Sequence, residues 1–220
     1  MLKRMLKRIV SFFPDRLYFF ILRIVELSKI NNKVHIENQG KIFIIKKVRG
    51  KGNRIKVGKN TIIYESHIRM IGNNNTIELG ENVRIGKDCS FWVEGDNIVI
   101  KIASRTTFTQ KVHLCAQENN TKIDIGEDCM FSNTIIVRTS DSHPIYHNGI
   151  RINPPKDVII GKHVWIAPNS KIFKGSVIGD GCIIGSDTLV NKKYPSNVLI
   201  AGHPGKIIKE NITWTREKLF

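Results

Sequence analysis

The sequence has no apolar run long enough to cross a bilayer. The longest clean stretch, Leu17 to Leu22, falls far short of the about 20 residues that a spanning helix needs, and Pro14, Asp15, Arg16, Arg23 and Glu26 interrupt the apolar region around it. No small-residue cleavage site follows, so a signal peptide is not expected. Cysteine is scarce: Cys89, Cys115, Cys129 and Cys182 are all there is, and no two lie within metal-ligand spacing. That argues against a Cys-rich zinc site and a disulfide framework, and a reducing compartment is the expectation. Acidic residues are also few, 19 against 35 Lys and Arg, leaving a net charge of +16. Such a balance selects anionic partners: nucleic acid, a lipid surface, an acidic glycan or a phosphorylated cofactor. No helix-turn-helix, zinc finger or aromatic-basic sheet motif is visible, so nucleic acid is not the expected partner. The hydrophobic share of 41% excludes a disordered chain, and 220 residues can bury a sizeable core.

What is present is a period of six. Apolar residues recur at Val57 and Ile63, then at Leu79, Ile85 and Phe91, then at Ile102, Phe108 and Leu114, and then at Ile125, Phe131 and Val137. An unbroken run follows at Ile160, Ile166, Ile172, Ile178, Ile184 and Val190. In this phase Arg69 is the one polar member, with His67 at the inward position before it. Two residues before each of these positions there is never Asp, Glu, Lys or Arg. Inward positions two apart are the strand period, so each hexad predicts a short strand and a corner. Glycine follows the apolar residue at 58, 80, 86, 126, 161, 179 and 185, and is read as permitting the bend. Three hexads close a triangular coil, and stacked coils pair their strands in parallel around one core. Three cysteines fall at the inward position and Cys115 follows an aliphatic, so all four are read as small core residues.

Coils starting at 57, 79, 102, 125, 160 and 178 predict about six of them. Short insertions fall at GNNN (72–75), EGDN (94–97) and QENNT (117–121), all turn-rich. The long one, RTSDSHPIYHNGIRINPPKD at 138–157, is the sizeable excursion, where so regular a scaffold would carry its function.

The hexads, over residues 53–209, resemble the left-handed parallel β-helix of the hexapeptide-repeat acyltransferases. Three segments narrow the likeness: SDSHP at 140–144, VIIGKHVWIAPNS at 158–170, and the closing NVLIAGHPGKIIK at 197–209, with Gly205 where the family has Ala. They resemble the branch containing maltose and galactoside, xenobiotic and bacterial polysaccharide O-acetyltransferases. The resemblance implies an all-β chain, a homotrimer with cofactor grooves between neighbouring subunits, acetyl-CoA as co-substrate and a saccharide acceptor.

Moving an acetyl group from a thioester to a hydroxyl requires a base, a donor to the tetrahedral oxyanion, and substrates held in contact. His143 matches the family's catalytic histidine, and imidazole ordinarily titrates near neutral pH. Asp141, or a loop carbonyl in its place, would orient the ring. No Ser, Cys or Lys pairs with His143 as a nucleophile, which implies direct attack within a ternary complex. The resemblance puts Trp165, Ala167, Pro168, Ser186, Asn191, Lys192, Lys206 and Lys209 along the cofactor groove, with the lysines meeting phosphate as point charges. The resemblance also assigns Thr109 and Tyr146 to the acceptor. His143 and His147 lie four apart, with His113 one coil earlier. A convergent pair at that spacing needs a helix, which Pro144 and Asn148-Gly149 oppose, so no metal is expected.

Residues 1–52 read as a separate lead-in. From Pro14 an amphipathic helix fits. Residues 1–29 either lie on an anionic membrane surface, with Lys3, Arg4, Lys7 and Arg8 toward the lipid, or cap the open end of the solenoid. Residues 210–220 are read as a short helical tail. Resemblance and charge together imply acetylation of a sugar hydroxyl in a bacterial capsular, O-antigen or other surface polysaccharide, in the cytoplasm at the inner face of the membrane. The alternatives are an acetyltransferase for a small acceptor (an antibiotic, free sugar or sugar-nucleotide amine) and a non-catalytic basic solenoid that binds an anionic polymer.

Overall fold

A computed structural model describes residues 34–219. The helix expected within residues 1–29 lies outside these residues. Every apolar hexad residue from Val57 to Val190 is buried in one continuous core. Full burial of such a side chain contributes about 1.5–3 kcal/mol, so stability is concentrated along the axis of the solenoid. Phe108 and Phe131 pack against each other there in successive coils, with tilted rings whose centroids lie 4.4 Å apart.

Three faces surround this axis. The first stacks eight strands, among them Asn53–Val57, Thr76–Leu79, Val99–Ile102, Lys122–Ile125, Val158–Ile160 and Val177–Ile178. The second carries Arg84–Lys87, Thr107–Gln110, Met130–Asn133, Trp165–Ile166, Ile183–Ile184 and Leu199–Ala201. The third carries Ser90–Glu94, His113–Gln117, Ile136–Arg138, Lys171–Ile172 and Leu189–Val190. The long strand Ile62–Ile71 runs from the second face onto the third and joins them into one sheet. Solenoid pairing is parallel throughout, until Lys206–Lys209 closes antiparallel on Leu199–Ala201. On the outside of the first face Lys56, Glu78, Lys101 and Asp124 stand in register, so charges of opposite sign alternate up the sheet.

Four expectations change. The sheets begin before residue 53: Val34–Asn38 pairs with Asn53–Val57, and Lys41–Arg49 pairs with Ile62–Ile71. Ile36, Ile42 and Val48, themselves six apart, pack against the core there. In the following coil the register slips by one residue. Ile68 aligns with Phe91 and takes the inward place, while His67 is exposed and Arg69 points outward. Glu65, at φ 24°, absorbs the missing residue. Residues 210–219 form no helix. A segment that short is marginal as a helix, and it instead lays Trp214 and Arg216 on the solenoid. The Arg216 guanidinium donates to Asp128 Oδ1 (2.7 Å), Thr107 Oγ1 (3.1 Å) and the Cys129 carbonyl (2.8 Å). Finally, Cys115 is buried on the outside of the third face, and only the other three cysteines line the axis.

Those three sit among Thr61, Thr106, Ser170 and Ser176, at the same inward position, and the polar groups there share a task. Thr61 and Thr106 donate to carbonyls of the next coil, Gly80 (2.6 Å) and Gly126 (2.9 Å). The Cys129 and Cys182 thiols do likewise to Gly161 (3.1 Å) and Pro195 (3.0 Å). Burial pushes the Cys129 thiol up to about 12 and Cys89 up to about 11, which keeps both protonated and structural.

The glycines after the apolar residues do not supply the bend. None of the seven has a positive φ. The left-handed residue comes two positions later, as at Asn60 (58°), Asn82 (56°), Asp88 (57°), Asp128 (59°) and Asp187 (56°). The glycines are needed because coils touch: a Cβ on Gly126 would lie 2.5 Å from the Gly161 carbonyl carbon and 2.8 Å from the Lys162 nitrogen. Gly126→Ala should therefore cost about 1–3 kcal/mol by overpacking, while Asn82→Gly, which keeps its φ without strain, should melt close to wild type. Thermal denaturation followed by circular dichroism checks the pair, and the reverse order would contradict this account of the corners.

Candidate functional site

The excursion leaves the solenoid at the edge between the third and first faces, after Ile136–Arg138, and returns at Val158–Ile160. Its tip is a hairpin, Tyr146–His147 against Ile150–Arg151, turned by Asn148 and Gly149 at φ 50° and 76°. Asn-Gly is the favoured pair for such a turn. Asn153, buried in the loop, organises the rest. Its side-chain amide donates to Asp141 Oδ2 and to the His143 carbonyl, both at 2.9 Å, and its Oδ1 accepts the Ile145 N–H at 2.7 Å. The loop is tied to the solenoid by Arg151, whose guanidinium grips Glu118 in a fork at 2.7 and 2.8 Å, and by the Ser140 hydroxyl on the same carboxylate at 2.6 Å. The Arg151 bonds outweigh burial and hold the Glu118 carboxyl below its usual range. This contribution is complete near neutral pH and is lost as acid protonates the carboxylate.

His143 stands exposed on this loop, two residues from Asp141. Asp141 is not bonded to its ring. That carboxylate instead takes the Lys174 ammonium at 2.5 Å and the Asn153 amide. Burial would raise its pKa, but these two donors outweigh burial and lower it. Backbone fixation by Asn153 is thus what positions the histidine. Asn153 was missed from the sequence, where a lone asparagine between Ile152 and Pro154 carries no signal.

Trp165 lies on the outside of the second face, 36% exposed. The tail covers its neighbour: Trp214 stacks on His163 with ring centroids 3.9 Å apart and lies 6.0 Å from Trp165. His163 is held by Asp128 at 2.7 Å, and its carbonyl accepts the Trp214 indole N–H at 2.9 Å. Trp214 was also missed, because it lies beyond the repeat. Past Trp165 the second face ends in a column of small residues. The Ala167 N–H donates to Ile184, the Gly185 N–H to Ile200, and a Cβ on Gly185 would come 3.1 Å from that of Ala201. A thin apolar arm can lie along such a strip. Pro168 and Ser186 flank it at the edge between the second and third faces, and Lys206 and Lys209 stand exposed on the closing strand. A Cβ on Gly205 would come within 3.0–3.1 Å of Ile200, the Leu189 carbonyl and the Tyr194 hydroxyl.

Thr109 lines a shallow pocket on the second face with Tyr64, Arg84, Gly86, Lys87, Phe108 and Gln110. Asn191 and Lys192 fall elsewhere, exposed on the same edge as the excursion. Tyr146 is 63% exposed at the hairpin. One protomer therefore gathers Trp165, Ala167, Lys206, Lys209 and Thr109 on one face. His143, Tyr146, Asn191 and Lys192 lie along an edge that does not border that face. His113, considered as a metal ligand, bonds Ser90 Oγ at 2.6 Å on the third face, and His147 pairs with Asn148 in the hairpin.

Comparison with known proteins adds to this geometry. The pattern of the bacterial transferase hexapeptide family (six repeats) matches residues 157–192. A polysialic acid O-acetyltransferase of Neisseria meningitidis is 38% identical over 197 residues, covering 86% of this chain and 87% of that one. The crystal structure of the polysialic acid O-acetyltransferase OatWY superposes with a TM-score of 0.74 at 36% identity, over 85% of this chain and 89% of that one. AntD, an N-acyltransferase from Bacillus cereus solved with dTDP and coenzyme A, matches with a TM-score of 0.56 at 25% identity, over 70% of this chain and 82% of that one. With an excursion carrying His143-Pro144 and a solenoid of hexads whose inward residues are all accounted for, the chain belongs to the hexapeptide-repeat O-acetyltransferases and folds as their left-handed parallel β-helix.

Proposed function

We propose that the protein transfers the acetyl group of acetyl-CoA to a sugar hydroxyl of a bacterial surface polysaccharide. The carrying observation is the 38% identity, over most of both chains, to an enzyme that acetylates polysialic acid. The small-residue strip of Ala167, Gly185 and Ala201 suits the pantetheine arm, and Lys206 and Lys209 suit the phosphates. His143 takes the proton of the acceptor hydroxyl as that oxygen attacks the thioester carbonyl, and the proton returns as the thiol leaves. No enzyme-bound acetyl group forms.

Because His143 and Trp165 lie on separate parts of one protomer, we infer a homotrimer in which the excursion of one copy faces the second face of the next. The exposed Ile145, Tyr146, Ile150 and Ile152 of the hairpin support such a contact. We place the enzyme in the cytoplasm at the membrane. In the first coil Lys41, Lys47 and Arg49 are exposed around Ile45, which suits contact of this end with an anionic surface.

General-base catalysis contributes about 10²–10⁴-fold, so His143→Ala should lose activity on that scale with acetyl-CoA affinity intact. Asn153→Ala, which frees the loop but spares the ring, should lower kcat less severely. Steady-state kinetics with calorimetry reads both, and an active His143→Ala enzyme or a trapped acetyl-enzyme would end this mechanism. For the cofactor, Lys206→Ala should weaken acetyl-CoA binding more at low salt than at high salt, and dephospho-CoA should bind wild type less well. Affinities unchanged in every one of these titrations would remove the phosphates from the closing strand.

A further inference from the structure

The outside of the third face carries a cluster that the transfer reaction does not use. Arg69, Trp92, Cys115 and Arg138 stand in one row across four successive strands. The Arg69 guanidinium lies over the Trp92 ring, 5.2 Å from its centroid. Arg138 reaches Ser142 Oγ at 2.6 Å, next to His143. Each arginine has a buried Nε with no hydrogen-bond partner, and among the described residues neither forms an ion pair. Glu94 is the nearby carboxylate, and it is engaged by the Trp92 indole N–H at 2.8 Å and by Gln117 at 3.5 Å. Trp92 remains 36% exposed. Burial and the Arg138 charge lower the pKa of His113, which lies edge-on to Trp92, so that ring favours its neutral form. Arg69 sits on a half-open aromatic face, and Arg138 beside it bonds the neutral acceptors Ser142 Oγ and Gln117 Oε1 (3.5 Å), so two positive charges stand together with no acidic partner among the described residues, an arrangement that an anion would satisfy.

We propose that Arg69, Trp92 and Arg138 form a subsite for a carboxylate-bearing sugar of the acceptor. The ring of the sugar lies on Trp92 and its carboxylate is taken by the arginine forks, planar donors suited to that group. The subsite sits at the root of the catalytic excursion, so an acidic chain held here runs toward His143. This assignment rests on the acceptor being a polysaccharide, and it names the residues that would read its acid group.

The test is calorimetric titration of the full chain with a short sialic acid oligomer and with its carboxyl-reduced counterpart. Wild type should bind the acidic oligomer more tightly. Arg69→Gln, remote from the excursion, should erase about 10-fold of that preference, Arg69→Lys should restore part of it, and acetyl-CoA affinity, melting temperature and oligomeric state should stay unchanged. Equal binding of the two oligomers by wild type, or a preference untouched by both Arg69→Gln and Trp92→Leu, overturns the subsite. So does dissociation of the assembly in these variants, which would make the cluster a contact between copies. Failure to bind acetyl-CoA would count instead against the acetyltransferase reading, because the sugar titration does not depend on it.

Discussion

Stacking one coil on the next is the constraint from which the rest of this structure follows. Strands pair at about 4.8 Å, so each coil must repeat the path of its neighbour at that separation. Side chains survive on the inside only if they fill the axis, and on the corner only if they clear the backbone beyond. The apolar residue of each hexad meets the first demand, and glycine at 58, 126 or 179 meets the second. The left-handed Asn and Asp residues then turn the chain. Hydroxyls and thiols at the inward corner satisfy carbonyls that the bend leaves unpaired.

A scaffold so tightly specified has room for chemistry only where it lets the chain go. The excursion is not loose. Asn153 bonds both sides of His143, Arg151 and Ser140 fasten the loop to Glu118, and Lys174 reaches in from the following coil to Asp141. The ring of His143, which we propose as the general base, is thereby presented from a fixed backbone with its side chain exposed. The tail plays a similar part on the far side, where Trp214 and Arg216 hold His163 and Asp128 beside Trp165.

Nearly all of the solenoid was legible in the sequence, because burial at every sixth residue leaves a direct trace. What escaped notice did so for physical reasons. The first coil is only partly covered, so Ile36, Ile42 and Val48 sit among lysines and their period is diluted. The slip at Glu65 deletes a residue, which put Arg69 where Ile68 belongs. The seven glycines were visible, but their role depends on a neighbour 16 to 35 residues away in sequence. In the site, His143 and Trp165 were marked by motif, whereas Asn153, Glu118 and Trp214 act through distant partners that no local pattern reveals.

We infer that the transfer site is completed between copies, because His143 and Trp165 lie on separate parts of one protomer. Mixing His143→Ala and Trp165→Ala protein, each first checked for loss of activity on its own, after dissociation and reassembly, tests it directly. In a closed trimer with sites between neighbours, random mixing should restore about a quarter of wild-type activity. Mixtures that stay as inactive as their parents, with subunit exchange verified, would show that each protomer carries its own complete site.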